Sequence, residues 1–295
     1  LEDRVRTNIW EDKWRHIELT HERDERSVSK FTEESRESAK LWIPRIKQDV
    51  IKFGKEEGFL PDNFDTDILL LPPREGNETS NWNSATKVFS LSTGTFGFFY
   101  KDGKVIANPV YSYQTAFHEV LGHAAHQYFS QDLPLSVRFT EEIGCVTSTK
   151  PITESVAINR QMKVNDYLRK RLQELDITEQ DIRILEIQSE LHNQAKCEQM
   201  YYGLLKEMEA RDKSFDIYTH LMDLTNNYRL AKNIKNDFRD DFEANWNIIG
   251  HIIGPLRYRD MEDSIKQRFG QEYFNREHKK INQATATGVW SWEVY

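Results

Sequence analysis

The sequence is poor in cysteine and contains no long apolar run. Its 295 residues include two cysteines, Cys145 and Cys197, which are too few for a disulfide framework and form no Cys-x-x-Cys metal site. No run approaches the roughly 18 apolar residues of a membrane-spanning helix. The first residues, Leu1 to Arg4, lack the apolar core of a signal peptide. We therefore expect a cytoplasmic protein without a membrane partner, while a start at Leu1 rather than Met leaves room for a removed leader.

The chain also lacks an excess of basic charge. Its 40 Lys and Arg residues are outnumbered by 48 Asp and Glu residues, the two signs are interspersed, and the formal net charge is -8. A nucleic acid is therefore not an expected partner. A hydrophobic fraction of 38% is enough for a sizeable core, so we expect a globular protein. Trp290, Trp292 and Tyr295 are typical of packing or of a contact between subunits, which leaves oligomerisation open.

Helical periodicity dominates the N-terminal part of the sequence. Apolar residues recur at helical spacing from Trp10 to Ile17 and from Leu41 to Ile51, which predicts an N-terminal helical segment over residues 1–60. Pro44 lies inside the second run, so that helix either begins near Pro44 or is kinked there. The next stretch, from Pro61 to Asn83, is rich in Pro, Gly, Asn and Asp. It predicts a long surface connection around one apolar island, Ile-Leu-Leu-Leu.

Short strands follow this connection, and after them the pattern becomes helical. Three runs predict strands, and Asp102-Gly103 predicts a hairpin turn between the last two runs. The runs are Lys87–Leu91, Phe96–Tyr100 and Val105–Ala107. Helical spacing resumes after Pro109, and Thr178 with Asp181 predicts the capped start of a long helix. Other predicted helices are 151–175, 215–231, 237–253, 261–269 and 271–281. We expect one compact, mainly α fold with a small β-hairpin or sheet before the helix that follows Pro109.

Two histidines and a glutamate lie within six residues, His118-Glu119-Val120-Leu121-Gly122-His123. In the zinc motif H-E-x-x-H the histidines are four residues apart and share one helix face, and the Glu activates water. Here the second histidine comes five residues after the first, which on a regular helix turns it roughly 140° away around the axis. A π-bulge absorbs one residue, and Gly122 tolerates a distorted backbone. The spacing therefore predicts a bulged turn at residues 120–122 that lets His118 and His123 bind one metal ion.

A catalytic zinc ion needs a third protein ligand, often a Glu on a following helix. We favour Glu154, which lies one turn into the helix predicted to begin at Pro151, among small residues that would let the helix approach closely. Glu119, next to the first ligand, is then the general base that takes a proton from water. Alternatives remain for two positions: Glu141 or Glu142 as the third ligand, and His126 with His123 in place of His118.

The region around the motif resembles a known family. The stretch from Thr115 to His123 is similar to the H-E-x-x-P-G-H segment of the DUF885 family of helical zinc metallopeptidase-like proteins. Glu154-Ser155-Val156-Ala157 stands where that family has E-G-W-A, and Phe269 to His278 resembles its closing G-x-x-F-D-x-x-x-F-H pattern. The motif lacks the family's Pro, which gives it the H-E-x-x-G-H form found in dipeptidyl peptidase III.

The resemblance implies a gluzincin-like helical core that holds one zinc ion through His118, His123 and Glu154. It implies a catalytic domain over residues 61–295 and hydrolysis of peptides, either short ones or near chain ends. Peptide cleavage also needs a hydrogen-bond donor for the oxyanion, supplied from a distant segment. His251 and Tyr258, on either side of a Gly-Pro break, are the candidates, and a solvated helix face is the alternative for them.

Two other functional interpretations stay open. TldD-type peptidases also carry H-E-x-x-G-H but use a Cys as the third ligand, and Cys145 and Cys197 are available for that role. Their fold is strand-rich, which the helical pattern after the motif disfavours. The second interpretation is a non-catalytic relative that binds a metal or a peptide. The presence of Glu119 argues against it, because a structural metal site needs no base.

Overall fold

Helices make up most of the part of the chain that the structure describes. The computed structural model describes residues 33–71, 80–101, 104–131, 150–225, 256 and 258–286. The predicted helices before residue 33 and at 237–253 lie outside these ranges. Within them the fold is mainly helical with two small sheets, so the predicted mainly α class is confirmed. None of the described helices combines the length and the apolar character needed to cross a bilayer.

Two helices precede the first strand. Helix α1 covers Glu33–Lys40 and α2 covers Ile43–Glu56. Pro44 lies in the first turn of α2, where its missing N–H removes no helical hydrogen bond, so the helix begins there. Both helices pack into the main hydrophobic core, to which α2 contributes Ile46 and Val50. The described part of the predicted N-terminal segment, residues 33–60, therefore shares its core with the residues that follow it.

The first sheet has three strands in the order β1-β3-β2, with β1 at Asp67–Leu71, β2 at Asn81–Asn83 and β3 at Val88–Ser92. Strand β1 runs parallel to β3, and β2 runs antiparallel to β3 with Trp82 opposite Phe89. The prediction of a surface connection up to Asn83 is therefore wrong at β1 and β2. The apolar island is a strand because it pairs with β3, and parallel pairing between distant segments leaves no local signature.

The predicted hairpin is confirmed and leads directly into the motif helix. Strands β4 (Gly97–Lys101) and β5 (Lys104–Asn108) pair antiparallel along their whole length. Helix α3 (Val110–His118) follows, and a π-helical turn (Glu119–Ala124) and α4 (Ala125–Ser130) continue it in the same direction. Helix α3 begins two residues after β5 ends, and it buries the aromatic side chains of Tyr113 and Phe117 in the main core.

The single helix predicted over 151–175 is wrong, because the structure has three helices there. They are α5 (Lys150–Met162), α6 (Val164–Arg169) and α7 (Leu172–Leu175). Arg171 interrupts the helical path with φ -130° and ψ 20°, and Asp176 ends α7 in the left-handed conformation with φ 50°. Both residues fit a chain that turns twice instead of extending as one rod.

The long helix α8 (Glu179–Arg211) begins at the predicted capping box. The Asp181 N–H donates to Thr178 Oγ1 at 3.2 Å, and the Thr178 N–H donates to Asp181 Oδ2 at 2.8 Å. This box satisfies two N–H groups that the helix itself leaves without acceptors. The last described helices are α9 (Ile217–Thr225), α10 (258–269) and α11 (Gln271–Ala286).

Helix α10 packs against α5 through a second apolar cluster. Tyr258, Met261 and Ile265 of α10 form one buried cluster with Val156 of α5. Arg160 of α5 is fully buried beside this cluster, and its Nη2 donates to the hydroxyl of Tyr258 at 2.7 Å. A buried charged hydrogen bond of this kind fixes the relative position of two helices. It therefore helps to hold α5, the helix that carries Glu154.

Candidate metal centre

The π-helical turn puts the two motif histidines on one face of the helix. Its i to i+5 hydrogen bonds add one residue to the turn, so residues five apart in sequence come together. The Nε2 atoms of His118 and His123 lie 3.2 Å apart. The bulged turn predicted from the motif spacing is confirmed.

Gly122 lies where this turn touches α5. A Cβ atom on Gly122 would be 2.5 Å from both the Cα and the Cβ of Ala157, closer than atoms can approach without movement of the backbone. Glycine is therefore required here by the close contact between two backbones, in addition to the tolerance for distortion that the sequence suggested. Ala157 follows Glu154 by three residues, so the same helix face carries both. The contact sets the distance from which Glu154 reaches the histidines.

The carboxylate of Glu154 faces the two histidines, with one oxygen near each. Its Oε1 lies 3.4 Å from His123 Nε2, and its Oε2 lies 3.6 Å from His118 Nε2. Tetrahedral zinc with bonds of about 2.0–2.1 Å places its ligand atoms about 3.3–3.5 Å from one another. The three side chains are mostly buried, with exposures of 16%, 23% and 21% for His118, His123 and Glu154. The residues present thus fit a zinc ion in both chemistry and spacing.

Glu119 is a second carboxylate at the same place. Donor atoms of His118, Glu119 and His123 all lie within 4.8 Å of one another, so Glu119 competes with Glu154 for the third ligand position. Glu154 fits that position better, because its oxygens face both Nε2 atoms at ligand spacing. Burial, together with the charge of Glu154, raises the pKa of Glu119 to about 7, although a backbone hydrogen bond from Trp82 opposes the shift. A carboxyl group with such a pKa exchanges protons readily at neutral pH.

Gln161 orients the first histidine. Its Oε1 lies 2.9 Å from Nδ1 of His118. When Nδ1 carries the proton and donates it to this oxygen, the lone pair of Nε2 is left for a metal. Gln161 was not among the residues predicted from the sequence, although it follows Glu154 by seven residues, the spacing that puts two residues on one helix face.

Strand β2 positions Glu119, the candidate general base. The backbone N–H of Trp82 donates to Glu119 Oε2 at 2.8 Å. The indole N–H of Trp82 donates to Gln127 Oε1 at 2.6 Å, and Gln127 Nε2 donates to the carbonyl of Ser84 at 2.9 Å. Gln127 of α4 therefore ties the strand to the motif helix. No sequence signal could identify Trp82, because its contact to Glu119 is made by a backbone atom that most residue types possess.

Some of the other site residues predicted from the sequence lie within the part of the chain that the structure describes, and some lie outside it. Tyr258 is buried, and its hydroxyl accepts the hydrogen bond from Arg160. His126 is buried on α4, and the imidazole that faces His123 is that of His118. Cys197 lies on α8, whereas four other candidates lie outside the described residues: Glu141, Glu142, Cys145 and His251.

A cleft of about 810 Å³ opens beside His118. Helices α3, α5, α6 and α8 form its walls, and Gln161 lies on the same surface as His118. A ligand in this cleft would therefore reach the histidine cluster from the side of α8.

Comparisons of the chain with protein-family models, with curated proteins and with solved structures find no match.

Proposed function

We propose that the protein is a zinc-dependent peptidase whose one metal ion is held by His118, His123 and Glu154. The observation that carries the proposal is the close approach of the three side chains. The two Nε2 atoms lie 3.2 Å apart, and the Glu154 carboxylate has one oxygen 3.4 Å from His123 Nε2 and the other 3.6 Å from His118 Nε2. Three protein ligands leave the fourth position of tetrahedral zinc open, as catalytic sites do and structural sites do not. The nearby cleft supplies the access that a substrate needs.

Glu119 is the general base of the proposed reaction. Bound zinc supplies a Lewis acid that polarises the peptide carbonyl and lowers the pKa of water. Glu119 takes a proton from the attacking water and returns it to the leaving amine. The Trp82 N–H holds Oε2 of this carboxylate, so Oε1 is the oxygen that exchanges the proton. Gln161 keeps His118 turned so that Nε2 faces the site.

The proposal includes a gluzincin-like core related to the DUF885 family. The bulged histidine motif and a glutamate ligand on a following helix support this relation. Substrates are then peptides, either short ones or longer ones cut near an end. The developing charge on the carbonyl oxygen needs a donor, and His251 and Tyr258 remain the candidates.

The test combines metal analysis with digestion of a peptide library, with the products identified by mass spectrometry. We expect one zinc ion per chain and cleavage by the wild-type protein. Glu119→Gln should retain the zinc and lower kcat by about 100- to 10,000-fold, the usual contribution of a general base.

Glu272→Gln is the matched control, because Glu272 is exposed on α11 and the substitution makes the same chemical change. It should leave both zinc content and cleavage unchanged. A wild-type protein without stoichiometric zinc would overturn the metal assignment. Full activity of Glu119→Gln would show that Glu119 is not the base.

A further inference from the structure

The π-helical turn brings a second pair of motif-helix residues into line, Glu119 and Gln127. Their spacing of eight residues on a regular helix would place them about 80° apart around the axis. The π-helical turn absorbs one residue, so the spacing becomes that of seven residues, about 20° from alignment and about two turns along the helix. The bulge that joins His118 and His123 therefore also puts Gln127 on the helix face that carries Glu119.

Strand β2 lies along this face and contacts both residues through Trp82. The backbone N–H of Trp82 donates to Glu119 Oε2 at 2.8 Å, and its indole N–H donates to Gln127 Oε1 at 2.6 Å. In an antiparallel pair every second residue turns its N–H away from the partner strand. Trp82, which lies opposite Phe89 of β3, is such a residue, because its N–H reaches the motif helix. One residue thus links the carboxylate of Glu119 to the amide of Gln127.

Gln127 supplies contacts that this short strand needs. Strand β2 has three residues, and within the described sheet it lies at the edge and pairs only with β3. A pair of this length forms few ladder hydrogen bonds. Gln127 adds two hydrogen bonds from the helix, because its Oε1 accepts from Trp82 and its Nε2 donates to the carbonyl of Ser84 at 2.9 Å. The position of the Trp82 N–H relative to the helix therefore depends on Gln127.

The two hydrogen bonds require a side-chain amide at position 127. One end of the side chain must accept from an indole N–H, and the other must donate to a backbone carbonyl. An ionised Glu has two acceptor oxygens and no donor, and Met has a similar shape but only a weak acceptor. Replacement of Gln127 would let β2 move relative to Glu119. A displacement of about 1 Å at a reacting group can lower the rate by about 100-fold.

We propose that Gln127 is a positioning residue for Glu119. It holds the Trp82 N–H against Oε2 of the carboxylate, which keeps Oε1 directed to the water whose proton it takes. The inference rests on the proposed peptidase function. Because Gln127 acts through Trp82, its loss should lower kcat and leave both zinc content and KM unchanged.

The first test compares Gln127→Met with wild type on the library peptide that the wild-type protein cleaves fastest. We expect kcat to fall by about 10- to 100-fold, the usual cost of losing a group that orients a site residue. Gln271→Met is the matched control and should keep the wild-type kcat, since Gln271 is exposed on α11 and bonded to Asn275. An unchanged kcat in Gln127→Met, or a loss of zinc instead of kcat, overturns the inference.

The second test asks whether Gln127 acts through Trp82 and Glu119. Trp82→Phe keeps the backbone N–H and the ring but removes the indole donor. The double variant Trp82→Phe, Gln127→Met should therefore have no lower kcat than Gln127→Met alone. In the Glu119→Gln background, Gln127→Met should have no further effect, because no base is left to position. Effects that multiply independently in either combination contradict the inference.

The third test measures the hydrogen bond to Glu119 without a substrate or a metal. Nuclear magnetic resonance follows the exchange of the Trp82 backbone N–H with solvent in zinc-free protein. We expect exchange about 10-fold faster in Gln127→Met than in wild type, the effect of weakening one hydrogen bond to a carboxylate. Gln271→Met should exchange at the wild-type rate. Equal exchange in Gln127→Met and wild type would show that Gln127 does not hold this N–H.

The two proposals fail in different ways. If Gln127→Met cleaves peptides at the wild-type rate, the peptidase proposal stands and the positioning inference falls. If wild-type protein cleaves no peptide, the peptidase proposal falls, and faster exchange at Trp82 in Gln127→Met still supports the link from Gln127 to Glu119.

Discussion

Helix α3 connects two buried polar clusters of opposite character. At Tyr113 it meets a structural ion-pair network, in which the Tyr113 hydroxyl donates to Asp49 Oδ2 at 2.6 Å. Arg171 Nη1 lies 2.9 Å from the same oxygen, and Arg45 Nε lies 3.7 Å from it. The guanidinium groups are charged at all relevant pH values, so they compensate the carboxylate permanently.

At His118 the same helix enters the candidate metal centre. Here the carboxylate of Glu154 faces two imidazoles, which carry no permanent charge. A second carboxylate, Glu119, lies in the same cluster and has a raised pKa. The two clusters on this helix therefore differ in the source of the positive charge that faces each carboxylate. The Asp49 network carries its own permanent cations, whereas the His118 cluster, in the proposed function, receives its cation as a bound metal ion.

The largest expected effect breaks the metal centre and leaves the Asp49 network intact. Glu154→Gln replaces a charged ligand by a neutral amide, and we expect zinc affinity to fall by at least about 1,000-fold, or about 4 kcal/mol. Loss of a residue that merely supports a ligand already costs 10- to 100-fold. Isothermal titration calorimetry with zinc measures this loss. Unchanged zinc affinity would remove Glu154 from the ligand set.

The reciprocal change breaks the Asp49 network. Asp49→Asn leaves Arg171 and Tyr113 without their anionic partner, and we expect the free energy of unfolding to fall by about 3 kcal/mol. Zinc stoichiometry should stay at one. Denaturant unfolding measures the stability, with Asp67→Asn as control, because the side chain of Asp67 is 86% exposed beside Lys47 and should matter little. Loss of zinc in Asp49→Asn would mean that the two clusters are not independent.

A third change tests how the metal centre is assembled. Gly122→Ala forces a Cβ against Ala157, and we expect α5 to shift, with a loss of about 2 kcal/mol in stability. Zinc affinity should fall as well, because Glu154 moves with α5. Gly97→Ala is the control, since its Cβ would make ordinary contact at 3.5 Å with Asn108. If Gly122→Ala binds zinc as tightly as the control does, the close contact does not position Glu154.

The last change concerns Glu119 in protein stripped of metal by a chelator. Its pKa is raised from 4.5 to about 7 in the folded state. The folded protein therefore holds the proton to higher pH than the unfolded chain, so this stability is fully present below pH 4.5 and is lost as the pH rises through 7. Glu119→Gln cannot ionise, and we expect it to exceed wild type by about 3 kcal/mol at pH 8 and to equal it at pH 4. Thermal unfolding at both pH values tests this, and an equal gain at both would contradict it.

Local signals in the sequence predicted the parts of the structure that are themselves local. The spacing of His118 and His123 predicted the π-helical turn, and Thr178 with Asp181 predicted the start of α8. These features depend on residues within one or two turns of each other. Glu154 could be proposed from the sequence because the third ligand of a catalytic zinc site is often a carboxylate on a following helix, and the neighbours of Glu154 are small.

Contacts between distant segments were not predictable in the same way. The strand at residues 67–71 forms because β3 pairs with it, and Trp82 reaches Glu119 through a backbone N–H. The contact of Gly122 with Ala157 depends on how two helices cross, which side-chain size permits but does not specify. The cleft beside His118 brings together four helices, and no single segment carries its pattern.

The central claim is that zinc is bound by His118, His123 and Glu154, with Glu119 beside them as base. Zinc-edge anomalous diffraction from crystals of the zinc-loaded protein tests this claim most directly. We predict one peak at about 2.0–2.2 Å from both Nε2 atoms and from a carboxylate oxygen of Glu154. A peak bonded to Glu119 instead of Glu154, or no peak at this site, would contradict the assignment.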